Sequence, residues 1–542
     1  MNKVLLFLFI IFVSCSAQDD GVDKPEKGFD TKHKPLIYLL DYIKEDGKTI
    51  ISWKYNARYD FFKSVHLKNS AGVEIAEVNF PADNYKLNSS YNEKGIILQV
   101  ENNEGQFHEE NVLSLYKDQE YELLMEKEPI KRVTIDKTAA MPFFHKKGDN
   151  TPLLLFGVNY VRLRGQVSRL IGDHSTFDAA TPSTLADYNP YHAETLFRTL
   201  KSRGFNLVRV FLIGRSSVNP GISGSTSLNE PVYGPYMDNF IDFLERARKY
   251  GIYVYPTVGD GELPLNAFYR SKVPSNHDLS YLRLYFPFVK EAVDAKAEYL
   301  KAIVNSIKNY DATLINSLFA LELQNEYALN ANVWPLTQQS GQYKAYWGES
   351  YDMAKGQSRQ KLADDATVLY HNKMTEALNQ IEPDLLVGEG LFTLSAVGKN
   401  PETAFGLYPG NFQDERYPPT FNVVARSNID FIDIHTYPQK GGAPIENHFD
   451  DSMNSMLEGS TKLNEILKIK PIILGEFGAF YENETGDIAK TAGRMNVLGN
   501  VSINKGFGGW CYWTFDTFEQ DGIFNMMENE QKIMDAISPI RQ

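Results

Sequence analysis

Between Leu153 and Phe515 the chain carries eight short, almost wholly apolar runs: Leu153–Tyr160, Asn206–Ile213, Ile252–Val258, Ser317–Gln324, Leu385–Gly388, Ile429–His435, Pro471–Phe477 and Gly508–Phe515. A strand buried on both faces reads as such a run, whereas a half-exposed strand alternates. Helical periodicity near His192–Arg203, Met237–Tyr250 and Glu291–Asn309 separates the first four runs. Alternation of strand and helix is the mark of βα units around a parallel sheet, and eight of them predict a closed (β/α)8 TIM barrel over residues 128–542. In such a barrel the active site lies where the strands end. The expected fold class is therefore α/β, a (β/α)8 barrel.

The chain before the barrel follows another rule. Residues 35–127 hold short alternating runs, Lys48–Tyr55, Phe61–Leu67, Gly72–Val78, Gly95–Val100 and Tyr121–Met125, separated by clusters such as Glu45-Asp46-Gly47 and Asn102-Asn103-Glu104-Gly105. This spacing predicts an N-terminal immunoglobulin-like β-sandwich. It holds no catalytic constellation, so turnover is expected from the barrel alone. Residues 1–14, MNKVLLFLFIIFVS, pair one Lys with an apolar run too short to span a bilayer, as in a signal peptide. Cys15 follows Ser14 directly, and this context resembles a bacterial lipobox, with Asp19 and Asp20 behind it similar to a surface-sorting acidic tract. The resemblance implies lipidation at Cys15, a polar tether over 15–34, and an exported outer-membrane or cell-surface lipoprotein; the alternative is a secreted or periplasmic protein.

Charge narrows the partners. With 69 acidic against 55 basic residues the formal charge is −14, a field that repels nucleic acid and anionic lipid. Membrane contact is expected only through the lipid anchor, and the chain is expected to be a monomer. The second cysteine, Cys511, lies in an apolar stretch, leaving no intramolecular disulfide once Cys15 is acylated. No zinc-ligand spacing, phosphate loop or Gly-x-Ser-x-Gly elbow occurs, so neither metal nor cofactor is implied.

Two glutamates end predicted strands four and seven: Glu326 in Leu323-Gln324-Asn325-Glu326 and Glu476 in Leu474-Gly475-Glu476. A carboxylate there is costly to desolvate and must be hydrogen-bonded, paired or employed. Strands four and seven face each other across a barrel mouth, so the two can flank one ligand. Asn325-Glu326 and Gly475-Glu476 resemble the strand-four Asn-Glu pair and strand-seven Glu of glycoside hydrolase clan A, the cellulase and mannanase superfamily. The resemblance extends to Arg209 on strand two, His435-Thr436-Tyr437 on strand six, Trp513 on strand eight and the entry Gly157-Val158-Asn159-Tyr160. It implies a retaining hydrolase of β-linked glycan, with Glu326 as acid/base and Glu476 as nucleophile. Arg209 and Tyr437 would hold the nucleophile, Asn325 would bind the sugar 2-hydroxyl, His435 would contact substrate, and Trp513 would lie under the sugar while Trp510 packs outside. Loops carrying Asp260, Glu262, Phe268, Tyr269 and Tyr281, and Trp334, Tyr343, Tyr346, Trp347 and Tyr351, lie at the face that builds a substrate site, and their Tyr and Trp are expected either to stack on sugar rings or to pack locally within the loops. A non-catalytic glycan-binding lipoprotein on the same scaffold is the alternative from a different class.

Overall fold

The computed structural model describes residues 35–540 apart from 57–58, 89–94, 116–121, 165–172, 181–186, 215–220, 259–262, 265, 278, 392–415, 438–459, 481–486 and 519–521. The leader, Cys15 and the tether lie outside the described residues, as do Asp260 and Glu262. Among the described residues no helix is long and apolar enough to cross a membrane.

Two antiparallel sheets open the fold. One has the order β1 (Ile37–Glu45), β2 (Lys48–Tyr55), β5 (Asn84–Lys86), and the other β4 (Glu74–Asn79), β3 (Phe62–Asn69), β6 (Gly95–Asn102), β7 (Phe107–Ser114). Their inner faces close over Trp53, Val65, Leu67, Ile96, Leu98 and Val100, so they form a sandwich with its own core. Tyr121–Met125, expected as a strand, instead contains a helical turn at 122–124, which lies between the sandwich strands and the barrel. Strands β1 and β7 escape the alternation rule for opposite reasons. β1 is covered on both sides and reads Ile-Tyr-Leu-Leu, while β7 is a polar edge strand, Phe-His-Glu-Glu-Asn.

A hairpin, β8 (Val133–Asp136) and β9 (Phe143–Lys146), sends Val133 and Phe144 into a cluster with Leu155, Leu207, Tyr253, Phe319 and Phe431, which plugs the end of the barrel where the strands begin. Eight parallel strands then close in chain order: β10 (Leu155–Asn159), β11 (Leu207–Phe211), β12 (Tyr253–Thr257), β13 (Leu321–Glu322), β14 (Val387–Leu391), β15 (Phe431–Thr436), β16 (Ile472–Gly478) and β17 (Gly509–Trp513). The fourth is shorter than expected, because Leu314–Ser317 forms a 3-10 turn and Leu318 makes only an isolated bridge to Val254. Helices α1 (Pro190–Ser202), α2 (Gly234–Lys249), α3 (Lys290–Tyr310), α4 (Gly356–Asn379), α5 (Ser460–Leu467) and α6 (Ile488–Asn504) are the long outer elements. The sequence Asn-Pro starts α1: the Asn189 side chain accepts from the Tyr191 and His192 amides, and Pro190 occupies the first turn, where no amide hydrogen is needed.

The two lobes interlock. Leu39 has φ +51, and the β1–β2 register slips between Tyr38 and Asp41. This bulge turns Tyr38 and Leu39 into the barrel cluster while Ile37 and Tyr42 stay in the sandwich cluster. From α1, Arg198 donates to the Tyr42 carbonyl at 2.8 Å and pairs with Asp41 at 3.2 Å, and the His192 ring meets the Trp53 carbonyl at 2.8 Å.

Candidate active site

Arg209, on β11 and fully buried, organises the strand ends. Its Nε and Nη2 donate to the two oxygens of Glu322 at 2.9 and 3.0 Å, Nη1 donates to Glu476 Oε1 at 2.6 Å and to Asn159 at 3.0 Å, and Nη2 reaches Asn325 Oδ1 at 2.8 Å. A guanidinium is a rigid planar fork, so gripping it on one edge fixes the direction of its remaining hydrogens. With Oδ1 of Asn325 turned to Arg209, the amide hydrogens of Asn325 are left for a ligand.

Glu476 accepts a hydrogen bond on each of its oxygens. Besides Arg209, the Tyr437 hydroxyl donates to Oε2 at 2.7 Å. Glu326 stands opposite with a fifth of its side chain exposed to the mouth, and its backbone has φ +45, the left-handed region that non-glycine residues seldom adopt. Burial pushes its carboxyl up to about 7, with Arg416 and Arg209 opposing the rise. His435 bridges the pair: Nδ1 lies 3.0 Å from Glu326 Oε1 and 3.5 Å from Glu476 Oε2. Burial drives that imidazole down to about 3, so it is neutral. One oxygen of Glu326, one of Glu476 and one nitrogen of His435 all fall within 4.8 Å of one another. The same spacing could hold a cation, but Arg209 already supplies positive charge to Glu476, and hard cations take six or more oxygens.

Trp513 ends β17 beside Phe211 and His174, with ring centroids at 5.9 and 6.3 Å, and it shares a cluster with Tyr437 and Phe480. Trp510 turns outward against Phe156, Phe205 and Phe477. Thus Arg209, Asn325, Glu326, His435, Tyr437, Glu476 and Trp513 converge on one end of the barrel. The loop aromatics behave differently: Trp334 meets Tyr285 and Tyr343 edge-on, Trp347 donates to the Tyr351 hydroxyl, Tyr269 is fully buried, and Tyr281 is largely exposed. Trp334, Tyr343, Trp347 and Tyr351 thus follow the local-packing alternative, with ring and hydrogen-bond partners inside these loops. Arg162 and Asp516, from the loops after β10 and β17, form a buried two-pronged ion pair at 2.7 and 2.8 Å that ties those loops together.

Sequence reasoning missed Glu322 and Asp433. Both are fully buried, Glu322 is pushed up to about 7 and Asp433 well above the carboxylate range, each chiefly by burial. A signal existed, because residues two apart on a strand share a face: Glu322 and Gln324 precede Glu326, and Asp433 precedes His435 and Tyr437.

A barrel with two carboxyl groups opposed at its mouth is the class that the strand order and the site define. No family model matches the chain, and neither does any curated protein. Solved structures do resemble it. The endo-1,4-β-mannanase from Rhizomucor miehei is 14% identical over 75% of this chain and 97% of that one, with a TM-score of 0.47. The exo-β-1,4-mannosidase Op5Man5 from Opitutaceae bacterium strain TAV5 is 15% identical over 75% of this chain and 61% of that one, at 0.46. The β-mannanase from the blue mussel Mytilus edulis is 18% identical over 76% and 97%, at 0.42.

Proposed function

We propose that the protein is a retaining glycoside hydrolase acting on a β-linked polysaccharide or oligosaccharide, with Glu476 as nucleophile and Glu326 as acid and base. The observation that carries this reading is the separation of the two carboxyl groups. Their nearest oxygens lie within 4.8 Å of each other, a close approach compatible with the spacing of about 5–5.5 Å between carboxyl groups used for double displacement, where inverting enzymes set the groups about 6.5–9.5 Å apart.

The chemistry follows in two steps. A Glu476 oxygen attacks the anomeric carbon, the glycosidic bond breaks, and the proton of Glu326 passes to the leaving oxygen. Water then attacks the same carbon, its proton returns to Glu326, and the bond to Glu476 breaks, so both glutamates end as they began. A carboxyl pushed up to about 7 is protonated below neutrality, which suits Glu326 to the first step. Asn325 donates to the 2-hydroxyl, and Trp513 supplies the floor beneath the ring. The immunoglobulin-like identity of the sandwich, lipidation at Cys15 and display at the cell surface belong to the same reading, supported by the strand order of the sandwich and by the leader sequence.

Release of reducing ends from a panel of mannan, glucan and xyloglucan, with the first-formed anomer followed by proton NMR, tests the proposal. Product of retained configuration supports it. Inverted product, or glycan binding without turnover of any member of a broad panel, refutes it; the latter is the outcome of the binding-protein alternative.

A further inference from the structure

Beneath the catalytic pair the barrel encloses two more carboxyl groups, and the chain has been carved to admit them. Gly390 on β14 has no side chain where a Cβ would lie 2.1 Å from Glu322 Oε1, and Gly475 on β16 has none where a Cβ would lie 1.9 Å from Asp433 Oδ2. The Gly475 amide donates to Asp433 Oδ1 at 2.6 Å. Glu322 and Asp433 present oxygens within 4.8 Å of each other and of His435, and both face Arg209, Glu322 by its two hydrogen bonds and Asp433 at 3.6 Å from Nε.

One guanidinium thus meets three carboxyl groups, those of Glu322, Asp433 and Glu476, in a fully buried space. Neighbouring buried carboxyls cannot all ionise against a single positive charge. The other groups that face the pair are Tyr255, Glu389, His435 and Cys511. His435 is neutral, and burial raises the other three, so none brings a balancing positive charge.

We infer that Glu322 and Asp433 hold one proton between them and together supply Arg209 with a permanent counter-charge, making them positioning residues for the nucleophile. This rests on the hydrolase reading above and explains a difficulty within it. When Glu476 becomes an ester in the glycosyl-enzyme, its negative charge is gone, and a buried guanidinium left alone is severely destabilising. The singly protonated pair keeps Arg209 neutralised through both halves of the cycle. Because the proton can sit on either member, either can supply the charge if the other is lost.

The test uses the full-length protein and the variants Glu322→Gln, Asp433→Asn and the double variant. Infrared spectra without ligand at pH 6 count protonated carboxyls. Each single variant is expected to lose one protonated-carboxyl band, because the remaining partner ionises, and the double variant is expected to lose no second band. A single variant that keeps the band, or a double variant that loses two, overturns the inference. Stopped-flow release of phenolate from an activated aryl β-glycoside adds a second reading: formation of the glycosyl-enzyme in the double variant should fall about tenfold beyond the product of the two single losses, the size of coupling seen between interacting residues. Losses that simply multiply indicate packing alone and overturn it too. The infrared count needs no turnover, so a protein that hydrolyses no glycan refutes the proposed function while leaving the shared proton to be decided spectroscopically.

Discussion

Glu326 combines a left-handed backbone with a carboxyl pushed up to about 7, two features that an ordinary rim residue has no use for. The first can be measured by comparing Glu326→Gly with Glu326→Ala. Both remove the acid, but only glycine relieves the φ of +45, so the Gly variant should be the more stable by about 1 kcal/mol in urea denaturation. The second sets the pH profile. Acid catalysis needs the protonated form, which is depleted as pH rises through about 7, so kcat/KM should decline on the alkaline side with a midpoint there. With an activated aryl glycoside Glu326→Ala should lose that limb, because its glycosylation step no longer depends on a proton. Glu476→Ala should lose hydrolysis by several powers of ten, about 4–8 kcal/mol, and regain turnover with azide, giving the opposite anomer; full activity in that variant contradicts the assignment. The residues legible in the sequence were the glutamates that follow apolar runs and those, Arg209 and Trp513 among them, that the family resemblance picks out inside such runs. Glu322 and Asp433 were not, because a lone acid inside such a run looks like part of the strand until the glycines opposite it, Gly390 and Gly475, are seen to leave it space.

Elements were legible to the degree that one environment governs them. The eight barrel strands are enclosed on both faces, so unbroken apolarity marked each of them, and the fourth is shorter than its apolar run at both ends, beginning after a 3-10 turn and an isolated bridge and ending at Glu322. In the sandwich, β2 is legible with its observed limits from its β-branched and aromatic residues and the turn cluster before it, although Ile50, Ile51, Ser52 and Trp53 are all buried. Strand β1 defied the alternation rule, since a strand lodged between two cores has no wet face, and the helical turn at 122–124 was taken for a strand because five residues are too few to separate the two periods. Packing at element level gives a further prediction. Gly475→Ala would drive a methyl group into Asp433, so it should cost about 1–3 kcal/mol, read as a lower denaturation midpoint, and reduce kcat more than KM by disturbing the bed on which Glu476 rests.

Leu39 and Tyr38 carry the sandwich into the barrel's core. Removing residues 1–127 would withdraw Tyr38 and Leu39 from the barrel cluster and leave Arg198 without Asp41 and the Tyr42 carbonyl. Lost burial of two large side chains is worth about 1.5–3 kcal/mol each, and the loss of the Arg198 bonds to Asp41 and the Tyr42 carbonyl adds to that. Calorimetry of the full chain should therefore show a single transition, and a chain beginning at residue 128 should melt about 3–7 °C lower, the shift that several kcal/mol produces in a domain of this size; two separate transitions, or an unshifted Tm, would contradict the interlock. The bulge that sets Leu39 at φ +51 also bears on ancestry. A module strung on a polar linker can be exchanged among unrelated enzymes by recombination, because each side folds without the other. A strand that leaves two side chains inside its neighbour's core cannot be traded so freely: any new partner would have to offer the same hole, so sandwich and barrel are expected to have diverged together, as a single heritable unit.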